Sequence, residues 1–176
     1  MGGEPLKSPR FFLKPWSALA EPPLGCELVI PSYLDEVHHE IELVLKLDSN
    51  LQPTQMALGL DLTKRSVQDY LKENRLPWAQ AKAFSGSAVI GKWVEYNSKA
   101  EYSLSLNGKE VQRGSLNEMS WTPKELVAKL AKWAPLRQGD LLFTGTPSGV
   151  GPLAENDEVT AFLHIDGVCI KSHSAK

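Results

Sequence analysis

Apolar and polar residues alternate most regularly between Val37 and Leu47. Ile41, Leu43, Leu45 and Leu47 share one face of an extended chain; Glu40, Glu42, Val44 and Lys46 share the other. This pattern predicts a strand with one face in a core. Asp48-Ser49-Asn50 and Pro53 then make a turn, and Met56 to Leu62 reads as a short buried strand. Thr63 to Lys72 changes to a helical period, with Val67, Tyr70 and Leu71 at spacings of three and four. After the small apolar run Ala79 to Ile90, Lys92 to Tyr96 is strand-like. Tyr102 to Leu106 alternates, and Asn107-Gly108 turns it into Lys109 to Gln112 as a hairpin. The best helix opens at Thr122, with Pro123 in its first position and Glu125 in its first turn, and runs to about Trp133. A strand Leu141 to Thr144, a Gly-rich loop and two closing strands, Val159 to His164 and Val168 to Lys171, complete the chain. Upstream, Cys26 to Ile30 reads as a strand stopped by Pro31, after an irregular Pro- and Gly-rich arm around Phe11-Phe12-Leu13. Strands outnumber helices, so the fold class is α+β with an antiparallel or mixed sheet.

Composition narrows the class. The chain has 176 residues, which suits one domain, and its 42% hydrophobic and 23% charged fractions are those of a globular protein. Such a chain buries roughly 70% of its unfolded surface, enough for a core without staples. With 19 Lys+Arg against 21 Asp+Glu, the net charge of −2 excludes a strong polyelectrolyte field, so no nucleic-acid partner is expected. No apolar run approaches a membrane span, and MGGEPLKSPRFFLKP lacks the apolar stretch of a secretory signal. Two cysteines without a CxxC pattern fit a reduced, cytoplasmic compartment.

Three features carry candidate chemistry. Glu40 and Glu42, at i and i+2 on a strand, project carboxylates from one face about 7 Å apart at the backbone. Held side by side they repel, and a hard divalent cation relieves this. Asp61, at the end of the next apolar strand, is a candidate third oxygen ligand. On the pattern alone, a solvated strand face with two surface glutamates is the commoner reading, and His38 and His39 read as surface or supporting residues. Second, Thr144-Gly145-Thr146-Pro147-Ser148-Gly149-Val150-Gly151-Pro152 is either a cradle of backbone N–H groups for an anion or a tight turn needing positive φ. It is not a P-loop. Third, Lys14, Arg65 with Gln68 three residues on, and Lys82 within Trp78-Ala79-Gln80-Ala81-Lys82-Ala83-Phe84 are cationic or polar groups on apolar background. They suit a carboxylate substrate, or else a snorkelling surface role. No GxSxG or HExxH is present, so nucleophilic Ser or Cys catalysis is unsupported.

Together these pieces resemble the fumarylacetoacetate hydrolase family. The resemblance rests on Phe12-Leu13-Lys14-Pro15, His38-His39-Glu40-Ile41-Glu42-Leu43, Gly59-Leu60-Asp61-Leu62-Thr63-Lys64-Arg65, Trp78 to Phe84, Asn107-Gly108, and Thr144-Gly145-Thr146-Pro147 through Gly151-Pro152. It is nearest to the small single-domain branch of acylpyruvate hydrolases and oxaloacetate decarboxylases or tautomerases. It implies a mixed β-sandwich-like roll with few short helices, residues 11–176 as one catalytic domain behind an irregular arm at 1–10, and a homodimer. It further implies Mg²⁺ or Mn²⁺ held by Glu40, Glu42 and Asp61. Arg65, Gln68, Lys14 and Thr146 would bind a small keto acid, and Lys82 would act in catalysis on a metal-stabilised enolate. The chain departs from the family twice. The usual Asn-Tyr-x-x-His-x-x-Glu segment, whose His and Glu activate water, is missing ahead of Phe11, and Leu47 to Met56 is a short turn where relatives carry a helix. The expected activity is acylpyruvate C–C hydrolysis or oxaloacetate decarboxylation or tautomerisation. A catalytically impaired metal- and acid-binding relative is the alternative, and a purely structural dimerisation module a third.

Overall fold

The computed structural model describes residues 8–22 and 36–165, and the backbone of a last strand at 168–175. The strand expected at Cys26 to Ile30, the first residues of the arm and the cysteine side chains lie outside the described residues. A short 3-10 turn at Trp16–Ala18 leads into β1 (Leu19–Ala20). β2 (Val37–His39), β3 (Ile41–Leu47), β4 (Pro53–Asp61) and β5 (Thr63–Lys64) follow, then helix α1 (Arg65–Glu73) and the single turn α2 (Ala79–Lys82). β6 (Ala88–Ile90), β7 (Val94–Glu95), β8 (Glu101–Leu106) and β9 (Lys109–Ser115) precede helix α3 (Pro123–Leu130). β10 (Leu141–Phe143), β11 (Gly151–Pro152), β12 (Val159–Ile165) and β13 (Val168–Ala175) close the chain. The result is the sheet-dominated architecture with few helices that the patterning predicts.

Three sheets organise these strands. The largest has the order β1-β6-β4-β3-β10, with β7 also paired to β4; a small one is β11-β2-β5; a third is β13-β12-β8-β9. The segment expected as one strand from Val37 to Leu47 is divided. β2 pairs with β5 and β11 in the small sheet, while β3 pairs with β4 and β10 in the large one, and Glu40 is the joint between them. Ile41, Leu43, Leu45 and Leu47 enter the main core beside Met56, Leu58, Leu60 and Leu104, as their period requires. The opposite face of β3 is not solvated: Val44 packs with Ala57 and Ile90, and Glu40 and Glu42 are also buried. This removes the reading of two surface glutamates, because Arg65 of α1, Lys82 of α2 and the Gly145 N–H close over that side.

Local signals held where they are short-range. Asn107 and Gly108 both take positive φ (53° and 77°), the left-handed pair that a two-residue hairpin turn between β8 and β9 requires. Thr122 caps α3 with a reciprocal pair: its hydroxyl accepts the Glu125 N–H, and the Glu125 carboxylate accepts the Thr122 N–H at 2.8 Å. α3 is shorter than its pattern, ending at Leu130, because a further turn through Ala134 carries the chain to Pro135.

Candidate metal centre and basic pocket

The strand joint gathers the acidic groups. Glu40 sits at the joint and Glu42 two residues on, while Asp61 ends β4, the antiparallel neighbour of β3. The Asp61 N–H donates to the Glu40 carbonyl at 2.9 Å, which brings the two side chains to the same edge. All three are buried, and each offers one carboxylate oxygen within 4.8 Å of the other two. The geometry therefore joins the three residues that the spacing singled out.

Cations from three other elements meet them. Lys82, on α2 and only 2% exposed, donates to Glu40 Oε2 (2.9 Å), Asp61 Oδ2 (2.5 Å) and the Thr63 hydroxyl (2.6 Å). Lys14 reaches in from the N-terminal segment, 2.7 Å from Asp61 Oδ1, and donates to the Ser87 carbonyl at 2.8 Å. That carboxylate oxygen has no well-aligned hydrogen bond among the described residues. Arg65, the first residue of α1, donates to Glu40 Oε1 and to the Gln68 side-chain oxygen, both at 2.6 Å. Lys72, which the sequence pattern did not single out, also donates to Gln68 at 2.9 Å, and its ammonium lies over the Trp78 ring. Lys82 likewise lies over the Phe12 ring, 5.0 Å from its centre.

The three carboxyls feel different surroundings. Burial favours the neutral form of Glu40, but Lys82 and Arg65 outweigh it and hold the group below the ordinary carboxylate value. Asp61 is pushed up by burial, with Lys14 and Lys82 offsetting only part of that effect. Glu42 is raised to about 8 by burial and then by Asp61, because its nearest support is a single N–H, that of Gly145 at 2.7 Å. Burial also lowers Lys14, partly countered by Asp61. Glu42, a buried carboxyl with no ion-pair contact among the described residues, and Asp61 Oδ1 beside it make a donor set that a hard divalent ion fits.

The glycine loop proves to be both a turn and a cradle, but for a protein carboxylate. Gly145 and Gly149 take positive φ (94° and 100°), and a Cβ on Gly149 would lie 2.0 Å from the Val111 carbonyl oxygen. Thr146, expected to touch substrate, uses its hydroxyl inside the protein. It donates to the Ile41 carbonyl (2.8 Å) and accepts from the Gln112 amide (2.9 Å). His39 is buried beside the same Gln112, at 2.9 Å, a supporting position and not a liganding one. Gln112 was missed because the alternation of its hairpin strand marks no polar position as special. A cavity of about 530 Å³ has Glu42, Asp61 and Lys14 among its polar walls and Phe11, Phe12, Trp121, Leu126 and Leu130 among its apolar ones.

Residues 2–171 match the fumarylacetoacetate (FAA) hydrolase C-terminal family. The chain belongs to the fumarylacetoacetate hydrolase family. It is 34% identical to the mitochondrial oxaloacetate tautomerase FAHD1 of Homo sapiens over 90% of this chain and 78% of the relative. It is 36% identical to the oxaloacetate tautomerase YcgM of Escherichia coli (strain K12), over 91% and 80%. The crystal structure of fumarylpyruvate hydrolase from Pseudomonas aeruginosa, in complex with Mn²⁺ and pyruvate, superposes with a TM-score of 0.85 at 32% identity, covering 96% of this chain and 79% of that one. The protein is thus an enzyme of this family, with relatives that act on small keto acids. Among the described residues, no helix is long and apolar enough to cross a membrane.

Proposed function

We propose that this protein is a divalent-metal-dependent enzyme that processes a small α-keto or β-diketo acid, by oxaloacetate tautomerisation or decarboxylation or by acylpyruvate C–C hydrolysis. The observation that carries this reading is the buried Glu40–Glu42–Asp61 cluster facing Lys82, Lys14 and Arg65. Glu40, Glu42 and Asp61 would hold Mg²⁺ or Mn²⁺, two ions that favour the same hard oxygen donors. When bound, the ion supplies Lewis acidity toward the keto and carboxylate oxygens of the substrate.

The remaining work falls to the chain's own residues. Lys82 Nζ, held among Glu40, Asp61 and Thr63, is placed to stabilise negative charge as an enolate develops, or to pass a proton. Arg65, Gln68 and Lys72 line up beside it as a cationic, hydrogen-bonding edge for a substrate carboxylate. Thr146 would stand at the edge of the substrate site, its hydroxyl held between the Ile41 carbonyl and the Gln112 amide. Phe12 over Lys82 shields the ammonium from water, which strengthens its field. The apolar walls of the cavity suit the acyl arm of an acylpyruvate, a feature that favours the hydrolase reading beside the tautomerase one.

The test follows the ultraviolet absorbance of enol-form oxaloacetate and of acetylpyruvate with purified protein, with chelator and with Mg²⁺ or Mn²⁺. Metal-dependent change in either substrate supports the proposal, and which one changes names the reaction. Full activity in chelator, or for Glu42→Ala, overturns it. A homodimer in the cytoplasm completes the proposal: the exposed Leu13, Trp16 and Trp133 are apolar side chains an interface would cover, which light scattering tests.

A further inference from the structure

We infer that Gln112 is a positioning residue that sets the spacing and direction of the two glutamates, an inference that rests on the metal reading above. The reason lies in how the β3–β10 ladder ends. Phe143 pairs with Val44, and there β10 stops. Beyond it, Thr144 supplies an N–H and a hydroxyl to the Leu43 carbonyl, but Ile41, between the two glutamates, has no strand partner on this side among the described residues.

Two side chains take over. The Ile41 N–H donates to Gln112 Oε1 at 3.1 Å, and the Ile41 carbonyl accepts the Thr146 hydroxyl at 2.8 Å. The orientation of the Gln112 amide is dictated by backbone groups that have only one role. Its oxygen must face the Ile41 N–H, which can only donate; its nitrogen must face the Pro147 carbonyl at 3.0 Å, which can only accept. It follows that Nδ1 of His39, 2.9 Å from the same oxygen, carries the hydrogen. The amide nitrogen also donates to Thr146, so Gln112 joins β9, the Glu40–Glu42 segment and the glycine loop through four contacts while itself buried. The loop in turn gives Glu42 the Gly145 N–H. Gly149 lets the loop approach β9 closely enough for this. A buried amide with every contact made fixes one arrangement of the peptide between the ligands.

The experiment measures Mn²⁺ binding by calorimetry and the electron paramagnetic resonance spectrum of the bound ion, on the full chain without substrate. Gln112→Met keeps the shape and removes every hydrogen bond. It should weaken Mn²⁺ binding about 10- to 100-fold and alter the spectrum at saturation. Thr146→Val, milder for folding, should shift both in the same direction, which a residue acting only on substrate would not do. Leu163→Ala, a buried core change outside this network, controls for lost stability and should leave both unchanged. Wild-type affinity and spectrum in Gln112→Met and Thr146→Val, or equal weakening in Leu163→Ala, overturns this inference and leaves the metal reading standing. Failure of the wild-type chain to bind Mn²⁺ overturns the metal reading itself, and the inference with it.

Discussion

Helices α1 and α3 are nearly equal in length and are built on different terms. α3 carries its own instructions: Thr122 and Glu125 cap each other, Pro123 starts the first turn, and Lys129 stands in the last, over the Trp121 ring. α1 breaks those rules. Lys64 precedes it with no side-chain cap, its first turn holds no acid, and it opens on Arg65, a cation at the positive end of the helix dipole. That local disadvantage is offset by Glu40, whose carboxylate receives the Arg65 guanidinium, while Gln68 ties the first turn to Lys72. A helix that breaks its own start rules is here one whose first turn serves a buried site.

The largest expected effect is that of Glu40→Ala, which removes the carboxylate shared by Arg65 and Lys82. Metal-dependent turnover should fall by about 100-fold or more. Amide exchange should quicken in the first turn of α1 and stay unchanged in α3; equal quickening in both would end the contrast. Next comes Lys82→Met. In chelator it leaves Glu40 and Asp61 without their shared ammonium and should destabilise by about 3–5 kcal/mol in urea unfolding, the range for breaking a buried ion pair. Added Mn²⁺ should recover part of that loss by mass action.

A smaller and pH-dependent effect belongs to Glu42. Its carboxyl titrates at about 8 in the folded chain against an ordinary 4.5, so across that window the metal-free folded state holds a proton that the unfolded chain has released. Stability from this group therefore declines as pH rises from about 4.5 to about 8. Glu42→Gln should flatten that slope relative to wild type, as read from paired denaturation curves in chelator. The smallest effect is on the other side of the comparison. Thr122→Ala should lower stability by about 1 kcal/mol and leave Mn²⁺ affinity and turnover unchanged.

Much of this was legible in the chain. The period of two from Ile41 to Leu47 placed one face in the core, Asn107-Gly108 announced its hairpin, and Thr122-Pro123 with Glu125 announced α3. Each signal acts within a few residues, so no tertiary partner can reverse it cheaply. The paired glutamates were visible as a motif, but their burial was not. The same alternation describes a wet strand face, and only the arrival of Asp61, Lys82 and Lys14 from three distant segments decides between the two. Gln112 and Lys72 left no trace in any period, and Thr146 was visible as a residue while its bonds to Gln112 and Ile41 were not, because those contacts span 34 and 105 positions of sequence.

By itself, then, the sequence determined the elements whose causes are local: strand faces, the hairpin turn, a capped helix and the residue types of a hard-metal donor set. The tertiary structure alone decided where β2 gives way to β3 at Glu40, which carboxyl is hydrogen-bonded to cations and which to a backbone N–H, and which amide bonds the peptide between them. The physical reason is that desolvation and ion pairing depend on distances between segments far apart along the chain, and a pattern read along one segment carries no such distance.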